Sequence, residues 1–360
     1  MATAPQSRAA SLAEKTIADA QRMLAGSPLI RTALMILAIL HAVYQLGHWL
    51  PKVWSRTDHD RGDLLVYFDT AQRAFHHTPI YQQWPHLGPD VTPAAYLYPP
   101  QFAALLYPLG SLNFHDFCIV WYSIVVLGFW GFAWSLDRLS AGRSSLLGTL
   151  CWGLVLAMTP TVYTSLTIGQ ADSLMWALFG LSLATRFRGT FLSLTAQVKP
   201  YGFLVAALAG VREGRLVLGP MIATTLIGCA LGAAVFGLGS FVDWIKWSVP
   251  LNSQGRFNPG NVSITFAVLR ALHGLEIWSY PGGPLAPGPR LFLGASGLIA
   301  LAVSIYSTRK MEPRVAYVIV LMTAFLFSPT CWSTYLPTLW LLAALWLGSR
   351  HAESKTGEED

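Results

Sequence analysis

The chain has 360 residues, 53% of them hydrophobic and only 12% charged, with a formal net charge of +6. Several apolar runs are long enough to cross a bilayer, which excludes an ordinary soluble domain and marks a polytopic membrane protein. Basic residues stand singly at the ends of apolar runs rather than clustering among aromatics, so the positive balance reports membrane topology and no nucleic-acid partner is expected.

In chain order, residues 1–28 read as a cytoplasmic segment carrying Arg8, Lys15 and Arg22. The first apolar run, Thr32 to Leu50, starts late and lacks a small-residue cleavage site, as an anchor would. Residues 51–95 form the first outer loop. Within it Leu64, Tyr67/Phe68, Ala71 and Phe75 recur at helical spacing, which predicts an amphipathic helix over Asp63 to His76 at the membrane interface. Tyr96 to Leu109, broken by Pro99, Pro100 and Pro108, is expected to dip into the membrane without crossing. Further spans are expected near Phe117 to Leu136, 144–162, 171–185, 216–238, 289–307, 315–329 and 334–348, followed by a cytoplasmic tail over 349–360. Residues 29–348 then form a single membrane domain, and no internal repeat is evident in it. The four cysteines, Cys118, Cys151, Cys229 and Cys331, stand singly in apolar context with no metal or disulfide spacing.

The connections at Arg138/Arg143, Arg186/Arg188, Arg212/Arg215 and Arg309/Lys310/Arg314 all read as cytoplasmic by the positive-inside rule. Residues 189–211 lie between two of them yet hold one apolar stretch, interrupted at Lys199-Pro200. One full crossing cannot leave both ends on the same side. A bent pair of short helices turning near Lys199 can, and proline supplies the break. The alternative is full crossings with one or two basic loops on the wrong side. On the bent reading the polar segments 51–95, 163–170, 239–262 and 330–333 share the non-cytoplasmic face. The fold class is therefore all-α, with about nine to twelve transmembrane or half-membrane helices, broken ones lining a cavity.

Candidate site residues gather on that face. Asp63 reads either as a helix cap or as a reactive carboxylate. Asp58, His59, Asp60, His76 and His77 read as solvated loop, without the ligand spacing of a metal site. Asp172 opens a helix, where a carboxylate favours the positive dipole end. Lys199 in an apolar stretch calls for a phosphate or carboxylate partner unless it snorkels. Asn258 to Ser263 reads as a turn into a short helix, either an ordinary cap or a site for an anion or sugar hydroxyl. Trp332 and Tyr335 stand where interfacial belt residues would.

The ordered series Asp63-x-x-x-Tyr67, Tyr81, Tyr98-Pro99-Pro100, Pro108-Leu109, Gly169-Gln170, Lys199-Pro200, Gly260-Asn261-x-Ser263 and Ser328-Pro329-x-x-Trp332 resembles glycosyltransferase family 87. Those enzymes are polyprenol-phosphate-mannose-dependent α-1,2-mannosyltransferases of the GT-C superfamily. The series departs from the family pattern at Val262, where Gln is common, and at Thr334, where a His is common. The resemblance implies a GT-C-like bundle that transfers a hexose, with mannose expected, from a polyprenyl-phosphate donor to a hydroxyl on a glycolipid or glycan acceptor. It implies inversion, with Asp63 as general base, Lys199 on the donor phosphate, and Tyr67, Tyr98, Pro99, Gln170, Asn261 and Trp332 as substrate contacts. The setting it implies is a bacterial inner membrane with the active site on the periplasmic or extracellular face. No motif implies a cofactor or a metal, and Asp58-His59-Asp60 has DxD spacing only within the outer loop. The rival classes are a transporter of a lipid-linked or anionic substrate, and a non-catalytic scaffold. A transporter would leave Asp63 dispensable, and a scaffold both Asp63 and Lys199.

Overall fold

Asn113 starts the longest of the described helices by accepting a hydrogen bond from the Asp116 N–H at 2.9 Å, and its own amide donates to the Asp116 carboxylate at 2.8 Å. This reciprocal cap satisfies a donor that a helix start leaves orphaned. In the computed structural model the described residues are 62–81, 96–252, 261–274 and 287–356, with the isolated positions 32, 33, 36 and 40. Most of the expected anchor, together with Asp58, His59, Asp60 and Asn258 to Gly260, lies outside them.

The described chain is helical. In order, the helices are α1 Gly62–Phe75, α2 Pro100–Leu106, α3 Phe114–Ala141, α4 Leu146–Ala157, α5 Pro160–Thr167, α6 Asp172–Ala184, α7 Arg188–Val198, α8 Gly202–Glu213 and α9 Arg215–Phe236. They continue as α10 Gly239–Asp243, α11 Val249–Asn252, α12 Ile264–Gly274, α13 Pro287–Ser307, α14 Pro313–Leu326 and α15 Trp340–Thr356. Among the described residues, three helices are long and apolar enough to cross a membrane, or up to four if the bent pair α4 and α5 counts as one span. The protein is thus an all-α integral membrane protein, as its composition requires.

Two expectations need correction. The span expected over 144–162 is not straight, because α4 and α5 are bent by 86°. Thr159 is extended before Pro160, which opens α5, so proline and its restriction on the preceding residue cause the bend. The outer segment 239–262 is not all loop: α10 and α11 are joined by a π turn over Trp244–Ser248. Leu238, Val242 and Ile245 are exposed along this run, while Trp244 Nε1 donates to Leu97 O at 3.1 Å and Ser248 Oγ to Tyr96 O at 3.2 Å. The extended stretch before α2 is thereby fixed. Helix α6 has 13 residues and α14 has 14, so each is about 20 Å long, less than the roughly 30 Å of a hydrocarbon core.

The pair α7 and α8 doubles back on itself. Arg188 at the start of α7 forms an ion pair with Glu213 at the end of α8. With 11 residues, α7 is about 16 Å long, roughly half the hydrocarbon thickness, and Lys199 sits at its tip. The basic connections meet at the opposite end. There Arg138 Nε donates to Ala184 O at 2.9 Å, Arg212 Nη2 to Thr308 O at 2.8 Å and the Tyr317 hydroxyl to Glu213 at 2.7 Å. The basic connections expected on one side are therefore in mutual contact.

The hairpin turn requires glycine at one point. A Cβ on Gly202 would lie 2.6 Å from Ala196 N and 2.7 Å from its Cα, both backbone atoms that cannot step aside. Gly202→Ala is expected to destabilise the protein by about 1–3 kcal/mol through overpacking. A lowered thermal unfolding midpoint in detergent checks this.

Between its ends the bundle packs through small residues. Gly128 of α3 lies against the Ser173 and Leu174 backbone of α6, and Gly180 of α6 lies against Ser135 of α3. Close backbone approach is how apolar helices associate without a hydrophobic driving force between them.

Candidate active site

Helix α1 buries Leu64, Tyr67, Ala71 and Ala74 on one face, as the apolar spacing predicts, except that Ala74 replaces Phe75, which is 39% exposed. Gln72 Nε2 ties this helix down by donating to Gly110 O at 2.8 Å and Leu112 O at 3.0 Å. The helix includes Gly62, so Asp63 lies in the first turn rather than at the cap position. Its Oδ2 accepts a hydrogen bond from Gln170 Nε2, and Gln170 Oε1 in turn accepts from Thr334 Oγ1 at 3.1 Å.

One helical turn on, Tyr67 is fully buried and its hydroxyl donates to the Tyr98 hydroxyl at 2.6 Å while accepting from the Ala171 N–H at 3.2 Å. Burial first, and the Asp63 carboxylate second, push the Tyr67 phenol well above its ordinary range, so it remains a protonated donor. Tyr98 is held from the other side, where the Tyr81 hydroxyl donates to Tyr98 O at 2.7 Å. Pro99 is buried and extended at the N-cap of α2.

Gly169 has φ +68°, a left-handed conformation that favours glycine and turns the chain sharply between α5 and α6. Trp121 Nε1 donates to Gly169 O at 2.7 Å and Gln170 N–H to Ser165 O at 3.0 Å, so the backbone beneath Gln170 is rigid. Beyond this turn Asp172, fully buried, lies 2.7 Å from Lys199 Nζ. Lys199 also donates to the Tyr335 hydroxyl at 2.9 Å, and its ammonium lies 4.2 Å from the Tyr335 ring centroid and 5.4 Å from that of Tyr98. Ring faces favour a nearby cation, so the charge has three kinds of support: carboxylate, hydroxyl and π face. Lys199 does not snorkel. Asp172, read from sequence as a first-turn carboxylate, is the counter-ion of Lys199.

Asn261 and Trp332 are joined by an isolated antiparallel bridge. Asn261 is buried, its Oδ1 accepts from Ser263 N–H at 3.1 Å and Cys331 N–H at 2.9 Å, and its Nδ2 donates to Pro329 O at 3.2 Å. That amide pins two chain segments and shapes the wall of the site, while Trp332 remains half-buried beside Thr334 and Tyr335. Asp69 pairs with Arg73 at 2.7 Å, and His76 and His77 are exposed. Among the described residues no group of three or more His, Cys, Asp or Glu side chains converges as metal ligands would.

One partly exposed carboxylate, a tyrosine pair and a buried ammonium thus lie at the end of the bundle away from the basic connections. The family model of glycosyltransferase family 87 matches residues 96–329, more than half of the chain. The chain belongs to glycosyltransferase family 87. As a family 87 member it is a membrane glycosyltransferase, acting on a sugar donor and an acceptor. The family 87 match includes Tyr98, Gln170, Lys199 and Asn261, and it ends before Trp332 and Thr334. No curated protein and no solved structure matches the chain.

Proposed function

We propose that the chain transfers a hexose, mannose in the first instance, from a polyprenyl-phosphate donor to a hydroxyl of a glycolipid or glycan on the non-cytoplasmic face of a bacterial inner membrane. The acceptor oxygen attacks the anomeric carbon and its proton passes to Asp63. The bond from that carbon to the phosphate oxygen breaks on the opposite side, so configuration inverts and polyprenyl phosphate leaves. Lys199 stabilises the negative charge that grows on the leaving phosphate.

The observation that carries this reading is the division of labour between two carboxylates. Asp172 is fully buried and neutralised by Lys199, whereas Asp63 is partly exposed and accepts a hydrogen bond from the Gln170 amide. A carboxylate of the second kind can take a proton from a bound hydroxyl. The Lys199 ammonium, ion-paired with Asp172 and donating to the Tyr335 hydroxyl, has N–H donors left for a phosphate oxygen.

The test is transfer of labelled sugar by the purified protein into a membrane lipid extract, supplied in turn with polyprenyl-phosphate mannose, the corresponding pentose donor and a nucleotide-linked mannose. Product from the first alone supports the reading in full. Product from the pentose donor changes the sugar, and product from the nucleotide donor alone overturns the donor class.

A further inference from the structure

We propose that Tyr98 donates its hydroxyl proton to an oxygen of the donor phosphate, and that Tyr67 is the positioning residue that leaves this proton no other direction. This rests on the reading of a polyprenyl-phosphate donor held at Lys199. Two phenols in contact carry two protons and share one hydrogen bond, so one proton is left over. The surroundings decide which. Tyr67 is fully buried, and its oxygen accepts from the Ala171 N–H at 3.2 Å at the start of α6. Among the described residues its own proton has one acceptor, the Tyr98 hydroxyl oxygen at 2.6 Å. A buried hydroxyl without an acceptor is costly, so Tyr67 donates and Tyr98 accepts. The spare proton therefore belongs to Tyr98, the partly exposed member of the pair.

No described residue takes that proton. The bond from Tyr81 uses the Tyr98 backbone carbonyl, and the Asp172 carboxylate carries no hydrogen bond besides its ion pair with Lys199. The rings of Tyr67, Tyr96 and Phe102, with centroids 5.5, 5.5 and 5.3 Å away, hold the Tyr98 ring in place, and the Lys199 ammonium lies 5.4 Å from its centroid. An O–H with a spare proton thus stands beside an ammonium. An anionic oxygen satisfies both, and a bond donated to an ionised acceptor is stronger than one between neutral groups. The chain from the Ala171 N–H through Tyr67 to Tyr98 also runs in one direction, and hydrogen bonds in such a chain polarise one another, which makes Tyr98 a better donor. The resemblance implies both tyrosines as substrate contacts; on this reading Tyr67 acts through Tyr98.

The experiment measures binding of polyprenyl phosphate to the purified protein in detergent, with polyprenol of the same length as the neutral control, for wild type, Tyr98→Phe, Tyr67→Phe and the double variant. Phenylalanine keeps each ring, so the packing and the cation–π contact with Lys199 stay and one hydroxyl goes. Tyr98→Phe is expected to weaken polyprenyl phosphate binding by about 10-fold to 100-fold, the scale of one hydrogen bond to a charged group, and to leave polyprenol binding unchanged. Tyr67→Phe is expected to weaken it by less, about threefold to tenfold, because the Tyr98 donor remains but loses its fixed direction and its polarising neighbour. In the double variant the two losses do not add: once Tyr98 is replaced, Tyr67→Phe costs no further phosphate affinity. Equal losses for phosphate and polyprenol, or losses that add, indicate packing alone and overturn the proposal while the donor reading stands. Unchanged phosphate binding with a raised KM for the acceptor places the Tyr98 proton on the acceptor and likewise overturns it. A wild type that binds polyprenyl phosphate no better than polyprenol overturns the donor reading itself, and the proposal with it.

Discussion

Asp63→Asn is expected to reduce sugar transfer by roughly 10²–10⁴-fold, the range a general base supplies, while the purified protein keeps its wild-type unfolding midpoint to within a few degrees. Asparagine has the same shape, and its side-chain oxygen can still accept the Gln170 amide, so the connection between α1 and the turn before α6 survives. What is lost is the charge and the ability to take a proton. The loss of a first-turn carboxylate at a helix start is worth only about 0.3–1 kcal/mol of stability. A paired control separates this from a general effect of helix charge. Asp69 lies on the same helix, is exposed and is paired with Arg73 at 2.7 Å. Asp69→Asn is expected to leave transfer unchanged, because an exposed pair of this kind contributes less than about 1 kcal/mol. If Asp63→Asn transfers sugar at the wild-type rate, the base is another group. If both variants lose activity equally, the helix as a whole has been disturbed and neither residue has been assigned.

What could be read from the sequence was what neighbouring residues encode. Lys199-Pro200 announces a break, Pro99-Pro100 another, and the alternation of Leu64, Tyr67 and Ala71 announces a helix with one buried face. The position of the basic connections was legible too, since forcing Arg188 and Arg212 to the same side requires the α7–α8 hairpin. The partners inside the site were not legible. Asp172 and Lys199 stand at opposite ends of two separate helices, and nothing in the sequence near Asp172 distinguishes a buried counter-ion from a carboxylate placed for the helix dipole. Thr334 and Gln170 are 164 positions apart, and a departure from the family pattern at Thr334 gives no hint that its hydroxyl orients an amide. The resemblance implies Asn261 as a sugar contact, and nothing in the turn around it announces that its amide also holds the 328–332 segment. Long-range pairing in a helical membrane protein is decided by which helix faces meet, and periodicity within one helix does not carry that.

The buried pair yields the prediction with the largest expected effect on stability. Lys199→Met removes the ammonium but leaves Asp172, which is fully buried and 2.7 Å from it, with an uncompensated charge. Breaking one side of such a pair destabilises by about 3–5 kcal/mol unless the carboxylate protonates, whereas replacing both sides by apolar groups of similar volume is often neutral. Lys199→Met alone is therefore expected to lower the unfolding midpoint sharply, and Lys199→Met with Asp172→Leu to recover most of the loss. Transfer separates the two roles of the lysine. If Lys199 holds the donor phosphate, the doubly substituted protein is stable yet remains about 10²–10³-fold slower than wild type, the scale of a missing preorganised charge in a dry site. If the lysine only neutralises Asp172, transfer returns with the fold. Asp172→Asn alone sharpens the choice, because it leaves the ammonium on Tyr335 and between two ring faces. A lysine freed from its carboxylate presents a full positive charge to the donor, so tighter binding of the polyprenyl phosphate product, seen as stronger product inhibition, is expected in that variant.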